Sequence, residues 1–222
     1  MEILRGRKMG LVGAVLEPPH RGKCIAMKVI IRQRRRSLRL KDYDYAQSGA
    51  YFVTICVRDR QCLLGSISDG EMKLNENGLI AAESWDWLST AYPFIALDEG
   101  TIMPNHLHGI IFINQPQEGG SRTAPTVPRP LPLSRLVGAF KTVSSKQINI
   151  HRQRPGAPFW QRSFYEHIIR HEESLDRIRE YILTNPLRWQ LDRENPQANG
   201  KDDFDGWLGK FHPKPNHEII EL

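Results

Sequence analysis

Two β-rich runs, FIALDEGTIM (Phe94–Met103) and HLHGIIFIN (His106–Asn114), are separated by Pro104-Asn105 alone. A connection this short can only turn the chain straight back, so the pair reads as an antiparallel hairpin. A hairpin cannot cover its own apolar face, so the neighbouring segments decide the fold.

Those neighbours alternate in period. AYFVTICV (Ala50–Val57), bounded by Gly49 and RDRQ, is rich in β-branched and aromatic residues and reads as a central strand. NENGLIAAESWDWLSTAY places Leu79, Ile80, Glu83, Trp87 and Leu88 at helical intervals and is stopped by Pro93. LSRLVGAFKTVSSKQINIHR puts Leu136, Phe140, Val143 and Ile148 on one helix side and Arg135, Lys141 and Lys146 on the other. FWQRSFYEHIIR reads as a short edge strand. HEESLDRIREYILTNP reads as a third helix, with acidic residues in its first turn and Pro186 at its end.

The order strand, helix, strand, strand, helix, strand, helix implies an α+β fold. Its first six elements match a ferredoxin-like split βαββαβ antiparallel sheet with helices on one face, and the last helix is an addition. Between the hairpin and the second helix lies QPQEGGSRTAPTVPRPLP, a Pro/Gly-rich loop. Residues 1–37 are expected to be a flexible basic arm, and residues 195–222 a polar tail.

Charge is distributed in blocks. Residues 1–40 carry net +9, 41–114 net −6, 115–170 net +7 and 171–222 net −4. Two basic blocks suit a polyanion such as nucleic acid, and equally a solvated charged face with a basic tail. Apolar runs fall well short of the ~20 residues of a membrane helix, and no hydrophobic segment with a cleavage site marks a secretion signal. Cys24, Cys56 and Cys62 are odd in number and lack C-x-x-C spacing, so reduced cytosolic thiols are expected.

The sharpest chemical signal is His-Leu-His. Alternate strand residues share a face, with Cα atoms roughly 6.5–7 Å apart, so His106 and His108 present two imidazoles side by side. That arrangement can converge on one metal; it is also compatible with ordinary packing. The third helix adds Tyr181 and Asn185, four apart and on one face. An amide oxygen suits Mg²⁺ or Mn²⁺ better than zinc, and a deprotonated phenol is a nucleophile. By spacing alone, Tyr181 could equally be a core residue and Asn185-Pro186 a helix stop.

PNHLHGIIFI, FWQRSFYEHIIR and RIREYILTNPLRW, in this order, resemble the single-tyrosine HUH-endonuclease transposases, most nearly the REP-associated tyrosine transposases. RLKDYDYAQSGAYFVTICVRDR and LSRLVGAFKT are similar to blocks preceding the motifs in that group. The resemblance spans about Leu38 to Glu194, which is therefore expected to be one transposase domain. It implies that the added helix is catalytic, that His106, His108 and Asn185 bind a divalent metal, Mg²⁺ or Mn²⁺, and that Tyr181 is the nucleophile. Asn at 185, where the mobile insertion-sequence branch has Gln, points to the REP-associated branch. Tyr165 lacks a metal-binding residue four positions on and is not the family tyrosine.

The resemblance further implies a nickase and strand transferase acting on single-stranded DNA with imperfect palindromic hairpins, through a 5′-phosphotyrosine. The protein is expected to be a cytoplasmic, nucleoid-associated monomer or homodimer of a bacterium. Arg122, Arg129, Arg135, Lys141 and Lys146 form the expected phosphate track. Trp160 and Phe164 are candidates for base stacking or for packing, and His167 and Arg170 for structural or DNA contacts. Two competing classes are a catalytically idle hairpin-DNA-binding regulator descended from such an enzyme and a zinc hydrolase using His106 and His108. The second lacks a third His or Cys ligand and an HExxH helix.

Overall fold

The computed structural model describes residues 47–114 and 131–211. The expected basic arm, Arg122 and Arg129 lie outside the described residues.

Strand β1 (Gly49–Cys56) is followed by a short hairpin, β2 (Gly65–Ser68) and β3 (Glu71–Leu74), then helix α1 (Glu76–Ala91) and the long hairpin β4 (Ile95–Met103) and β5 (His106–Ile113). Helix α2 (Leu133–His151), strand β6 (Tyr165–Ile169), helix α3 (Glu172–Thr184), a 3-10 segment (Asn185–Leu191) and helix α4 (Asp203–Gly209) complete the order. The main sheet runs β4-β5-β1-β6, and every neighbouring pair is antiparallel. This is the strand order of the expected split βαββαβ arrangement.

Local signals explain the element ends. Asn75 caps α1 by accepting from the Gly78 amide at 3.1 Å, and Pro93 follows the last turn. Asp202 caps α4 through the Phe204 amide at 2.7 Å. A bulge between Leu97 and Gly100 breaks the β4–β5 ladder. Beside it Asp98 accepts two hydrogen bonds from Arg179 of α3, at 2.7 and 3.0 Å.

The sheet divides the core into two layers. Tyr51, Val53, Ile55, Leu107 and Ile111 pack with Trp85 and Leu88 of α1 and Leu136, Phe140 and Ile148 of α2. Phe52 and Ile110 pack on the other face with Leu175, Ile178, Tyr181 and Ile182 of α3 and Phe204 and Leu208 of α4. Because strand side chains alternate, β5 sends Leu107 to the α1/α2 face and His106 and His108 to the α3/α4 face. Gly109 is needed on the α1/α2 face: a Cβ there would lie 2.3 Å from the Trp85 ring.

Two elements differ from the sequence expectation. The β2–β3 hairpin turns on Asp69-Gly70, both at positive φ (55° and 75°), a dipeptide suited to this turn. The expected polar tail is folded from 195 to 211: α4 buries Phe204 and Leu208, at 3% and 1% exposure, against α3. A scatter of aromatics among acidic residues gave too short a period to register as a helix.

Candidate metal and tyrosine site

β5 lies inside the sheet, paired with β1 and β4, so its backbone is held on both edges. Cys56 and Met103 flank His106, and Thr54 and Thr101 flank His108. The neighbours also fix the rings. His106 Nδ1 lies 2.8 Å from Asn105 Oδ1, while the Asn105 amide nitrogen donates to the Arg60 and Glu194 carbonyls. An amide oxygen only accepts, so Nδ1 of His106 carries the proton and Nε2 the lone pair. His108 Nδ1 is 2.9 Å from Thr54 Oγ1, and Phe52 stacks on its ring at 5.3 Å. The two Nε2 atoms face each other at 2.9 Å. Two facing lone pairs repel, so this spacing requires a proton or a cation between them.

The opposing wall comes from α3 and the chain beyond it. Tyr181 Oη is 3.3 Å from His108 Nε2 and 3.4 Å from Asp192 Oδ2. Asn185 donates its amide to the same Asp192 oxygen at 2.8 Å, leaving its own Oδ1 buried and without a partner among the described residues. Asp192 Oδ2 also lies 3.6 Å from His106 Nε2 and 3.9 Å from His108 Nε2, and its Oδ1 accepts the Glu194 amide at 2.6 Å. His106, His108, Tyr181, Asn185 and Asp192 are all at most 2% exposed.

Electrostatics follow from that burial. Desolvation, reinforced by the neighbouring His108, lowers the His106 pKa well below its ordinary value, so the ring is neutral. Burial alone would raise the Asp192 carboxyl, but the two imidazoles beside it and the hydrogen bond from the Asn185 amide outweigh burial and hold the group well below the usual carboxylate range. Burial and the charges of Asp192 and Asp205 push the Tyr181 phenol well above its ordinary value, and Arg193 opposes them.

His106, His108 and Asp192 could hold a metal ion, with donor atoms within 4.8 Å of one another. The donor set fits: a neutral imidazole with a free lone pair, a carboxylate, and the orphaned Asn185 oxygen beside them. The structure thus brings together His106 and His108 of β5, Tyr181 of α3 and Asn185 just past its end, and adds Asp192, which the sequence analysis missed. Its one sequence signal was position, seven residues beyond Asn185 in an acidic segment taken as the domain's end.

The basic candidates are dispersed. Arg135 and Lys146 are exposed on α2. Lys141 is half-buried: its ammonium donates to the Gln161 and Ser163 carbonyls at 2.9 and 3.0 Å, and burial lowers its pKa to about 8. Trp160 is core, its indole donating to Ser144 at 2.9 Å, and Phe164 packs on the same layer. His167 is buried beside the Trp207 and Phe211 rings, and Arg170 is exposed. Among the described residues no helix is long and apolar enough to cross a membrane.

No family model matches the chain. A solved REP-associated tyrosine transposase bound to a REP hairpin aligns over 68% of this chain and 73% of its own, at 18% identity and a TM-score of 0.47. A Deinococcus radiodurans structure provisionally assigned as a transposase aligns over 65% of this chain and 96% of its own, at 15% identity and a TM-score of 0.38. An uncharacterized protein of Haemophilus influenzae is 37% identical over 176 residues, covering 72% of this chain and 92% of the relative. At that identity and coverage, the chain belongs to the same protein family as the Haemophilus influenzae relative.

Proposed function

We propose that the protein is a metal-dependent endonuclease and strand transferase of the transposase class, acting on single-stranded DNA flanked by imperfect hairpins. The observation that carries this reading is the meeting of Tyr181 Oη with His108 Nε2 at 3.3 Å, beside the His106 and Asp192 donors. A structural tyrosine needs no such company. The sequence resemblance supports the same assignment for His106, His108, Tyr181 and Asn185.

His106, His108 and Asp192, with Asn185 Oδ1, would hold a divalent ion. Two imidazoles with a carboxylate and an amide oxygen beside them would suit Mg²⁺ or Mn²⁺, which favour oxygen donors. Such an ion would supply Lewis-acid stabilisation of charge on the scissile phosphate. Thr54 and Asn105 hold the two rings in register, and Asp192 orients the Asn185 amide.

Tyr181 Oη bonds to phosphorus as the bond from phosphorus to the 3′ oxygen breaks, and in the net step the phenolic proton ends on that 3′ oxygen, which leaves as a hydroxyl. The product is a 5′-phosphotyrosine with one phosphodiester-like bond conserved, so a second 3′-hydroxyl can reverse the step and join strands without another energy source. Tyr181 is covered by Phe204, so DNA must displace the α4 end of the chain to reach it.

The test is incubation with Mn²⁺ or Mg²⁺ and labelled single-stranded hairpin DNA, followed by denaturing electrophoresis. A denaturant-resistant adduct is expected from the native chain and none from Tyr181→Phe. An adduct persisting in that variant removes Tyr181 as nucleophile; cleavage without any adduct points to hydrolysis, and binding without cleavage to a regulator.

A further inference from the structure

Beyond the end of β1, a cavity of about 120 Å³ is lined by Val57, Arg58, Gln61, Arg152, Arg154 and Phe159. Three arginines from two distant segments line it. Arg58 lies two positions beyond β1, Arg152 is the C-cap of α2, and Arg154 is two positions further on. The only carboxylate among the lining residues is Asp59, which is 75% exposed and pairs loosely with Arg58 at 3.5 Å. Arg152 and Arg154 have no carboxylate partner among the described residues; Arg152 lies over the Phe159 ring, 5.4 Å from its centre.

The backbone beneath these side chains is pinned. The Arg58 amide donates to the Phe159 carbonyl at 2.8 Å, the Arg154 amide to the Asn149 carbonyl at 2.9 Å, and the Asn149 side chain to the Ala157 carbonyl at 2.7 Å. Both segments hold non-glycine residues in the left-handed region: Asp59 and Arg60 at φ 55° and 53°, and Gln153 at φ 54°. Such conformations persist where the surroundings over-determine them, and they cluster at binding sites. Three like charges around one cavity repel each other unless an anion joins them. Planar forked donors on a fixed frame match the oxygens of a phosphate.

The cavity is connected to the candidate metal site through hydrogen bonds of Asn105. The amide of Val57, a lining residue, donates to the Asn105 carbonyl at 2.8 Å, and the Asn105 side chain holds His106 at 2.8 Å. We propose that Arg58, Arg152 and Arg154 form a phosphate-binding subsite that grips the backbone of single-stranded nucleic acid one or more nucleotides away from the phosphate held at His106 and His108. This rests on the proposed nucleic-acid function but not on cleavage. The subsite reads no base: guanidinium–phosphate contacts set position and affinity. A rival explanation is that Arg152 and Arg154 merely complement the negative end of the α2 dipole.

The experiment is fluorescence anisotropy of the full-length protein with labelled oligo-dT, across a sodium chloride series, in EDTA so that no cleavage intervenes. Each phosphate contact adds roughly 0.7 to the slope of log affinity against log salt on a single strand. Arg152→Gln with Arg154→Gln is therefore expected to lower the slope by about 1.4, with the thermal unfolding midpoint little changed. Arg154→Gln alone, which leaves the Arg152–Phe159 packing in place, is expected to lower it by about half as much. An unchanged slope in both variants overturns the subsite, as does native protein that does not bind the oligonucleotide. Loss of thermal stability with an unchanged slope assigns the arginines to the helix end. Absence of a covalent adduct from the native chain would sink the nicking reading alone, because the slope is measured without cleavage.

Discussion

The phenol of Tyr181 lies flat against the ring of Phe204, with centroids 3.7 Å apart and planes only 8° from parallel. One ring belongs to the face of α3 directed at the histidines, and the other comes from a segment that the sequence presents as a polar tail. The contact closes the second core layer and covers the candidate nucleophile at once.

Removing Phe204 therefore tests whether the last helix belongs to the domain. Phe204→Ala is expected to lower stability by about 3 kcal/mol, the lower end for deleting a buried aromatic. Urea unfolding followed by circular dichroism measures it. A change below about 0.5 kcal/mol, the range of ordinary surface substitutions, would show that α4 is not packed in solution.

Gly109 gives a test of the sheet that presents the histidines. Its missing side chain makes room for Trp85, and a Cβ would meet that ring at 2.3 Å. Gly109→Ala is expected to cost about 1–3 kcal/mol through overpacking. Combining it with Trp85→Leu should cost less than the sum of the two single changes, since the clash is then relieved. Strict additivity in the double-mutant cycle would contradict the packing described.

Lys141 sets a pH signature. Its pKa in the folded protein is about 8, below the ordinary 10.5 because of burial. Between those values the unfolded chain holds a proton that the folded chain has released, so stability at this group rises with pH from about 8 to 10.5. Below about 8 both states are protonated, and the burial penalty is fully present. Lys141→Met should flatten the rise in a series of urea midpoints across that window. A rise that persists unchanged in the variant would place its origin elsewhere.

Metal binding can be read without activity. A ligand that binds only the folded state stabilises it by about 2.7 kcal/mol at a hundred times its dissociation constant. Mn²⁺ is expected to raise the thermal midpoint of the native protein in a concentration-dependent way. The rise should shrink in Asp192→Ala and vanish when His106 and His108 are both changed to Ala. An undiminished rise in the double variant would mean that Mn²⁺ binds elsewhere.

The parts legible in the sequence were those with a local signature. The Pro104-Asn105 turn, the alternation that sends His106 and His108 to one face, and the i,i+4 pairing of Tyr181 with Asn185 all follow from backbone period. Asp192 was not legible, because its approach to the histidines depends on the 3-10 segment turning the chain back after Pro186, and no periodic pattern encodes that. The surroundings of Lys141 were not legible for a related reason: a helical wheel shows the side a residue takes, not the Gln161 and Ser163 carbonyls beside it. The Asp69-Gly70 turn carried a usable signal, but its strands are too short to stand out by alternation.

The interior position of β5 has a dynamic consequence. Both edges of the His106–Ile113 strand are hydrogen-bonded, so its amides can exchange with solvent only when β1 or β4 detaches, which approaches global unfolding. The segment carrying Asn185, Asp192 and Phe204 is held by side chains, a 3-10 segment and one short helix rather than by a sheet ladder. Its amides are therefore expected to exchange faster than those of β5, so that the two walls of the site would differ in how readily they open.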